Sequence, residues 1–198
     1  MRLIIGTLLA VAVSSVAPAE PLTQGERDRA MSHLHATRKA LLDSVAGLSE
    51  AQWKFKAGED RWSVAECAEH LTVSEEFLFK LVTEKVMQAP PAKADPEMDA
   101  KILKMLTDRS QKAQAPEFLK PSNRWATPVQ MMDDFKKRRD ETIAYVQTTQ
   151  DDLRGHAVPH PAFKMLDGYQ WILLISGHAE RHTAQINEVK ADPKFPKK

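Results

Sequence analysis

Cysteine is nearly absent from the 198-residue chain: Cys67 stands alone. No disulfide can therefore form within the chain, and a disulfide-stapled scaffold is excluded even for an oxidising compartment. Glycine is sparse, at 7 residues, which removes collagen-like and glycine-rich low-complexity architectures. A surplus of charge of either sign is also missing, with 28 Lys+Arg against 27 Asp+Glu. Without a basic excess there is little to neutralise a phosphate backbone, so nucleic acid is not an expected partner. What remains, with 42% apolar residues, is the composition of one globular domain and not of a disordered chain. Proline is present but confined. Of 12 prolines, those at 18 and 21, between 90 and 128, and at 159 and 161 leave residues 22–89, 129–158 and 162–192 proline-free, and long helices are permitted in those three stretches.

One long apolar run opens the sequence. Arg2 provides a positive start, Leu3 to Val16 an apolar core of signal-peptide length, and Ala17-Pro18-Ala19 an A-x-A cleavage site. The run contains Thr7, Ser14 and Ser15 and falls short of the roughly 20 residues that span a bilayer. Residues 1–19 therefore read as a cleavable signal peptide, and 20–198 as a single mature domain that is periplasmic or secreted, without stable membrane insertion. Cleavage removes Arg2 and leaves the charges balanced.

The mature chain carries four long helical patterns. The first runs from about Thr23 to Gly47, with Met31, Leu34, Leu41, Leu42 and Val45 on one stripe and Gly47 placed to end it. A short turn, Ser49 to Gln52, leads to Trp53 and Phe55. The second helix opens at Ser63-Val64-Ala65-Glu66, a capping-box sequence, and continues to about Met87. The connection from Ala89 to Ala126 holds one short helix, Pro96 to Arg109, with Asp95 as its cap and Met98, Ile102, Met105 and Leu106 as its apolar face. The third helix begins at Thr127-Pro128 and runs to about Thr149 through Met132, Phe135, Ile143 and Val146. The fourth extends from about Asp167 to Lys190, its stripe formed by Trp171, Leu174, Ile175, His178, His182, Ile186 and Val189. No alternating strand pattern and no internal repeat competes. The expected fold is all-α, a four-helix bundle with a connection between helices two and three long enough to run the length of the bundle.

The chemistry concentrates in Gly177-His178-Ala179-Glu180-Arg181-His182. Histidines four apart stand one turn above one another on a helix, so two imidazoles can converge on one metal ion; equally, two core histidines can simply bond to their neighbours. Both occupy positions of an apolar stripe. The second helix offers a third imidazole on its own inward stripe, which runs Cys67, His70, Leu71, Ser74, Phe77, Leu78, Leu81. Three neutral rings on facing helices would make a three-ligand site with positions left open for water or substrate. A zincin needs Glu directly after the first His and an inverzincin needs it directly before the second, but Ala179 and Arg181 stand there. Glu180 is turned about 200° from His178 at about 100° per residue, so it is expected on the outer face and no general base comes from this helix.

These segments resemble a known family. Arg61 to Leu71 (RWSVAECAEHL) is similar to the helix-two signature of the DinB-like (DinB/YfiT) metalloenzymes, and Gly177 to Ile186 (GHAERHTAQI) is similar to their helix-four signature. Leu48 to Trp53 and Leu166 to Trp171 are similar as well, and the resemblance spans roughly residues 25–195. It implies a four-helix bundle with a divalent metal, nickel or zinc first and manganese or iron next, held by three histidines; carried over by position they are His70, His178 and His182. Some members are thiol-dependent S-transferases or isomerases and others metal-dependent hydrolases. The expected function is an exported metal-dependent enzyme acting on a small molecule, hydrolysis favoured over thiol transfer because a reduced thiol is scarce outside the cytoplasm. The alternative is a non-catalytic metal-binding or stress protein on the same fold, and a homodimer is compatible with either.

Other candidates rank below these. Cys67, one turn before His70, could be a thiolate ligand or nucleophile, but reads better as a small buried hydrophobe. His156 and His160 lie among Gly155, Pro159 and Pro161 and read as loop surface unless one reaches an open metal position; His33 and His35 read as exposed or structural. Trp62 and Trp171 could wall a pocket, but tryptophans at helix starts read better as core anchors. Gly177 inside a helix costs about 1 kcal/mol relative to alanine, which points to close approach of another helix or of a ligand beside His178.

Overall fold

The computed structural model describes residues 21–110, 112 and 114–197. The signal segment expected at 1–19 lies outside the described residues. In chain order the elements are α1 (Gln24–Val45), α2 (Glu50–Lys54), α3 (Val64–Lys80) with a π-helical continuation Leu81–Val86, α4 (Met98–Thr107), a 3-10 turn Glu117–Leu119, α5 (Pro128–Thr148), β1 (Ala157–His160), β2 (Lys164–Asp167) and α6 (Gly168–Lys190).

Local chemistry sets the helix starts. Thr23, Ser49, Ser63 and Asp167 each accept the N–H of the residue three ahead, while Glu26, Gln52, Glu66 and Gln170 reach back to the cap residue, so four helices open with a complete capping box. Thr127 caps α5 with Pro128 in its first turn. Gly47, at φ 64°, supplies the left-handed turn that ends α1 and sends the chain into α2.

The long helices pack in the cyclic order α1, α6, α3, α5. Arg27 bonds the Thr149 carbonyl at 3.0 Å, whereas further along α1 the Leu34 carbonyl receives Arg139, so α1 and α5 are antiparallel. Thr72 meets Arg138 and Glu75 meets Thr142, both numbers rising together: α3 and α5 are parallel. The start of α1 joins the start of α6 through Glu26, Arg154 and Asp167, and Ser44 joins Lys190 at the other end, so these two are parallel as well. Two parallel pairs rule out simple up-down-up-down winding. The connection after α3 must travel back along the whole bundle before α5 begins, and α4 lies against α6 on that path.

Two apolar clusters fill the interior. One includes Leu34, Val82, Ile102, Val146, Leu166, Ile172 and Ile175; the other includes Leu41, Val64, Cys67, Leu71, Phe135, Ala179 and Ile186. Each fully buried Leu, Ile or Phe contributes roughly 1.5–3 kcal/mol by leaving water. Along α5 a buried Arg139 separates Phe135 of one cluster from Ile143 of the other, and along α6 His178 falls between Ile175 and Ala179. The bundle thus has a polar middle layer. Arg139 grips Glu75 with two 2.7 Å bonds and donates to the Leu34 carbonyl and Thr37, while Thr142 also donates to Glu75. All three nitrogens of that guanidinium have partners, through four hydrogen bonds, the condition under which a buried ion pair is tolerated.

Several local expectations are corrected. Ser49 to Gln52 is the start of a five-residue helix and not merely a turn. Asp95 does not cap α4; its carboxylate accepts the Glu97 N–H in a turn before the helix. Phe77 and Met105 sit on the exposed side, 38% and 52% exposed, so neither belongs to the core. The strands β1 and β2 form an antiparallel hairpin, pairing Ala157 with Asp167 and His160 with Lys164. Two strands of four residues, one carrying Pro159, leave too short an alternation to be recognised. Among the described residues no helix is long and apolar enough to cross a membrane.

Candidate metal centre

Ser63 fixes where α3 begins, and hence the phase that turns His70 inward; the Asp167 cap does the same for His178 and His182 on α6. The two helices run antiparallel, with Met87 beside Gly168 at one end, and bring the three histidines together. The potential ligand atoms of His70, His178 and His182 lie within 4.8 Å of one another. His70 Nε2 and His178 Nε2 are 3.1 Å apart, and the ring centroids are separated by 4.5 to 4.9 Å with interplanar angles of 67° to 70°. Three rings meeting edge to face around one point suit a metal ion better than mutual hydrogen bonding, because three imidazoles cannot all satisfy one another through the same inward nitrogens.

Outer nitrogens are already engaged. His70 Nδ1–H donates to the Leu119 carbonyl at 2.9 Å, and His182 Nδ1–H donates to Gln185 Oε1 at 2.9 Å. The proton of each ring is held on Nδ1, and Nε2 presents a lone pair inward. His70 and His182 are buried; His178 is partly exposed, so the triad is not sealed from solvent. Burial of the rings, which pack against one another although part of His178 remains exposed, is also the first reason they resist protonation. It lowers His70 against the opposing Leu119 hydrogen bond; it takes His178 well below the ordinary histidine value, helped by His182 and His70; and it brings His182 down to about 3, with His70 adding to the effect and Gln185 opposing it. Neutral imidazoles are the metal-binding form.

The remaining candidates fall elsewhere. Burial pushes the Cys67 thiol up to about 12, against the nearby Arg109, so it stays protonated and packs among apolar neighbours. His156 donates to the Ala89 carbonyl at 2.7 Å, and His160 accepts the N–H groups of Ala162 and Phe163; neither joins the triad. His33 is partly exposed and His35 exposed, both on α1. Glu180 is exposed, on the outer face as expected. Trp62 does wall the site: its ring lies 5.0 Å from His70 and stacks 6.0 Å from His182 at 28°. Trp171 instead is buried beside His160. Gly177 is where α4 comes close, since a Cβ there would stand 2.9 Å from Leu106 Cδ1. Surface depressions lined by Arg38, Lys136 and Asp140, and by Glu76, Lys80 and Arg138, contain no triad residue.

Sequence reasoning did not reach Gln185, Leu119, Glu69 or Arg109, which surround the triad. Gln185 had a usable signal, its i+3 spacing from His182 on the same helix; Leu119 had none, because its backbone carbonyl does the work.

Three imidazoles converging from two antiparallel helices define a class, helical bundles built around a candidate three-histidine metal centre. The chain belongs to the DinB superfamily, whose family model matches residues 33–186. It is 29% identical over 160 residues to the uncharacterized protein YuaE of Bacillus subtilis (strain 168), across 81% of this chain and 96% of that one. A solved structure, YfiT from Bacillus subtilis, matches with a TM-score of 0.55 at 16% identity over 90% of this chain and 93% of its own; YfiT is described as a probable metal-dependent hydrolase with an unusual four-helix bundle topology. The likeness to YfiT shows a shared fold, and the two parallel helix pairs found here are a departure from simple bundle winding.

Proposed function

We propose that the chain is an exported metal-dependent enzyme, a hydrolase acting on a small molecule, whose divalent metal is held by His70, His178 and His182. The observation that carries this reading is the convergence of three neutral rings, two of them with Nδ1 already donated to an oxygen acceptor. The description of YfiT as a probable metal-dependent hydrolase supports the same chemistry. Nitrogen-only ligation suits nickel or zinc, with manganese and iron as the next choices. When bound, the ion supplies Lewis acidity and an acidified water. The chain's own residues hold the inward lone pairs in place, keep the rings uncharged by burial, and cover one side of the site with the Trp62 ring. Export rests on Arg2, the apolar run Leu3 to Val16 and Ala17-Pro18-Ala19, with hydrolysis preferred to thiol transfer on that ground.

Metal analysis of the mature protein tests the site. After chelator treatment the native protein should take up about one equivalent of nickel or zinc per chain, with three ligand nitrogens at about 2.0–2.1 Å by X-ray absorption. His70→Ala, His178→Ala and His182→Ala should each lose binding, while His33→Ala and His35→Ala should not. Retention of stoichiometric metal by all three triad variants, or no uptake of nickel, zinc, manganese or iron by the native chain, refutes the site. A metal-loaded protein inert toward ester, amide and phosphoester panels would leave the non-catalytic metal-binding alternative. An intact mass beginning at Glu20 in the exported protein is expected, and a soluble form retaining 1–19 would refute the cleavage.

A further inference from the structure

The groups that orient two of the histidines depend on the connection between α3 and α5. Leu119, whose carbonyl receives His70 Nδ1–H, sits in the 3-10 turn of that connection. Directly before His70, Glu69 is buried, and its carboxylate accepts three consecutive backbone N–H groups, from Ser122 at 2.7 Å, Asn123 at 3.1 Å and Arg124 at 3.2 Å. Asn123 adopts φ 59° to let the chain wrap the carboxylate, and Arg124 in turn donates to the Phe118 carbonyl at 2.8 Å. The backbone around Leu119 is therefore clamped to the residue next to the ligand it serves.

On the other side of the triad, an amide side chain could offer His182 either its oxygen or its NH2. Arg109, also in the connection, biases the choice toward the oxygen. Its Nη1 lies 3.4 Å from Gln185 Oε1 and 3.5 Å from the Arg181 carbonyl, while its Nη2 is held by Glu188 at 2.8 Å. A guanidinium has donors only, so a flipped amide would set NH2 against N–H, and the orientation with the oxygen toward both Arg109 and His182 is favoured.

We infer that Glu69, Arg109 and Gln185 are positioning residues of the centre, which through the connection lock His70 and His182 in the Nδ1–H tautomer and so aim both Nε2 lone pairs inward. The tautomer lock stands on the hydrogen-bond geometry alone; its effect on metal affinity rests on the three-histidine reading proposed above. Outer partners of this kind typically carry tenfold to a hundredfold in metal affinity.

Two measurements on the full mature protein test it. Long-range proton–nitrogen correlation spectra of the metal-free protein at neutral pH should show His70 and His182 as the Nδ1–H tautomer. Gln185→Leu should release His182 to a mixture and lower zinc affinity, read by chelator competition, by roughly tenfold to a hundredfold; Gln185→Glu, which keeps the acceptor and the Arg109 contact, should restore both. Glu69→Gln should have the matching effect at His70, while Glu117→Gln, an exposed acid on the same connection, should change neither. If Glu69→Gln does not fold, the Gln185 pair decides alone. Native rings in the Nε2–H tautomer, or a Gln185→Leu protein with native tautomers and native zinc affinity, would overturn the inference. A native protein that takes up no zinc would refute the metal reading, and the spectra would still judge the lock.

Discussion

Lowering the pH of the metal-free protein from 6 to 4 should cost folding stability through the histidine triad before most carboxylates titrate. His182 is the clearest case, 9% exposed and held down to about 3 by burial first and by His70 next. In the unfolded chain the same ring takes a proton near pH 6.5. Below 6.5 the unfolded state therefore binds the extra proton and the folded state does not, so stability is fully present above about 6.5 and is lost as pH falls toward 3. Each pH unit inside that window is worth about 1.4 kcal/mol per histidine, so His182 alone should remove roughly 2 to 3 kcal/mol between pH 6 and pH 4. His178 and His70 are shifted the same way by burial and add to the slope.

The assay is urea unfolding of chelator-treated protein at half-unit steps, native against His182→Gln. Glutamine has no proton to gain. It also relieves repulsion on the two remaining rings, so both effects flatten the variant's slope. Carboxylates such as Glu26, Glu76 and Glu188 are held below their ordinary range and lose their contribution near and below their unfolded value, and that loss cancels in the comparison. Parallel stability curves for the two proteins between pH 6 and 4 would refute the claim that His182 is buried uncharged. Saturation with the bound metal at a hundred times its dissociation constant should raise native stability at pH 7 by about 2.7 kcal/mol, and the gain should shrink with acid because protons and metal compete for the same nitrogens.

Three structural predictions accompany this one. Glu75→Gln leaves the Arg139 charge in the core without its partner and should cost about 3–5 kcal/mol, whereas Glu75→Met with Arg139→Met should recover much of that loss; equal stability of the single variant and the native protein by urea unfolding would show the pair to be dispensable. Gly168→Ala should destabilise by roughly 1–3 kcal/mol despite alanine's better helix propensity, because the added Cβ would stand 2.6 Å from a Leu153 methyl and 3.1 Å from the Leu153 carbonyl oxygen. Gly177→Ala comes too close only to the movable methyls of Leu106 and Leu103, with Leu106 Cβ at an ordinary 3.5 Å, and should cost less; the reverse order in thermal melts would contradict this packing. Ser63→Ala should cost about 1 kcal/mol by removing the acceptor for the Glu66 N–H, with an unchanged denaturation midpoint as the contrary result.

The legible part of the molecule was the part written in side-chain periodicity. Caps at Ser63 and Thr127 and four apolar stripes placed the long helices, and spacing of three and four put His178 and His182 on one inward face. The buried ion pair does leave a trace in the periodicity. Arg139 recurs in phase with Phe135, Ile143 and Val146, and Glu75 with Leu71, Leu78 and Val82; a charge on each of two apolar stripes signals a partner across the core. The hairpin left almost none, since its strands are four residues long and interrupted by Pro159. Contacts made through backbone atoms leave no residue signature at all. The Leu119 carbonyl on His70, and the three N–H groups around Glu69, depend on the path of the connection and not on which side chains it carries.

That path follows from topology. If α3 and α5 were antiparallel, a tight loop would join them and the groove between α3 and α6 would face water directly. Because they are parallel, the chain must return along the bundle, and the return lays α4 against α6 at Gly177, Arg109 beside Gln185, and Leu119 over His70. The same segment that solves the winding problem supplies acceptors or anchors for two of the three rings. A shorter connection would preserve the helices, the apolar clusters and all three histidines, yet leave His70 Nδ1 without its carbonyl and Gln185 free to flip. Three inward-facing imidazoles are therefore necessary for the proposed metal centre, and their two outer partners turn a cluster of histidines into a fixed set of lone pairs.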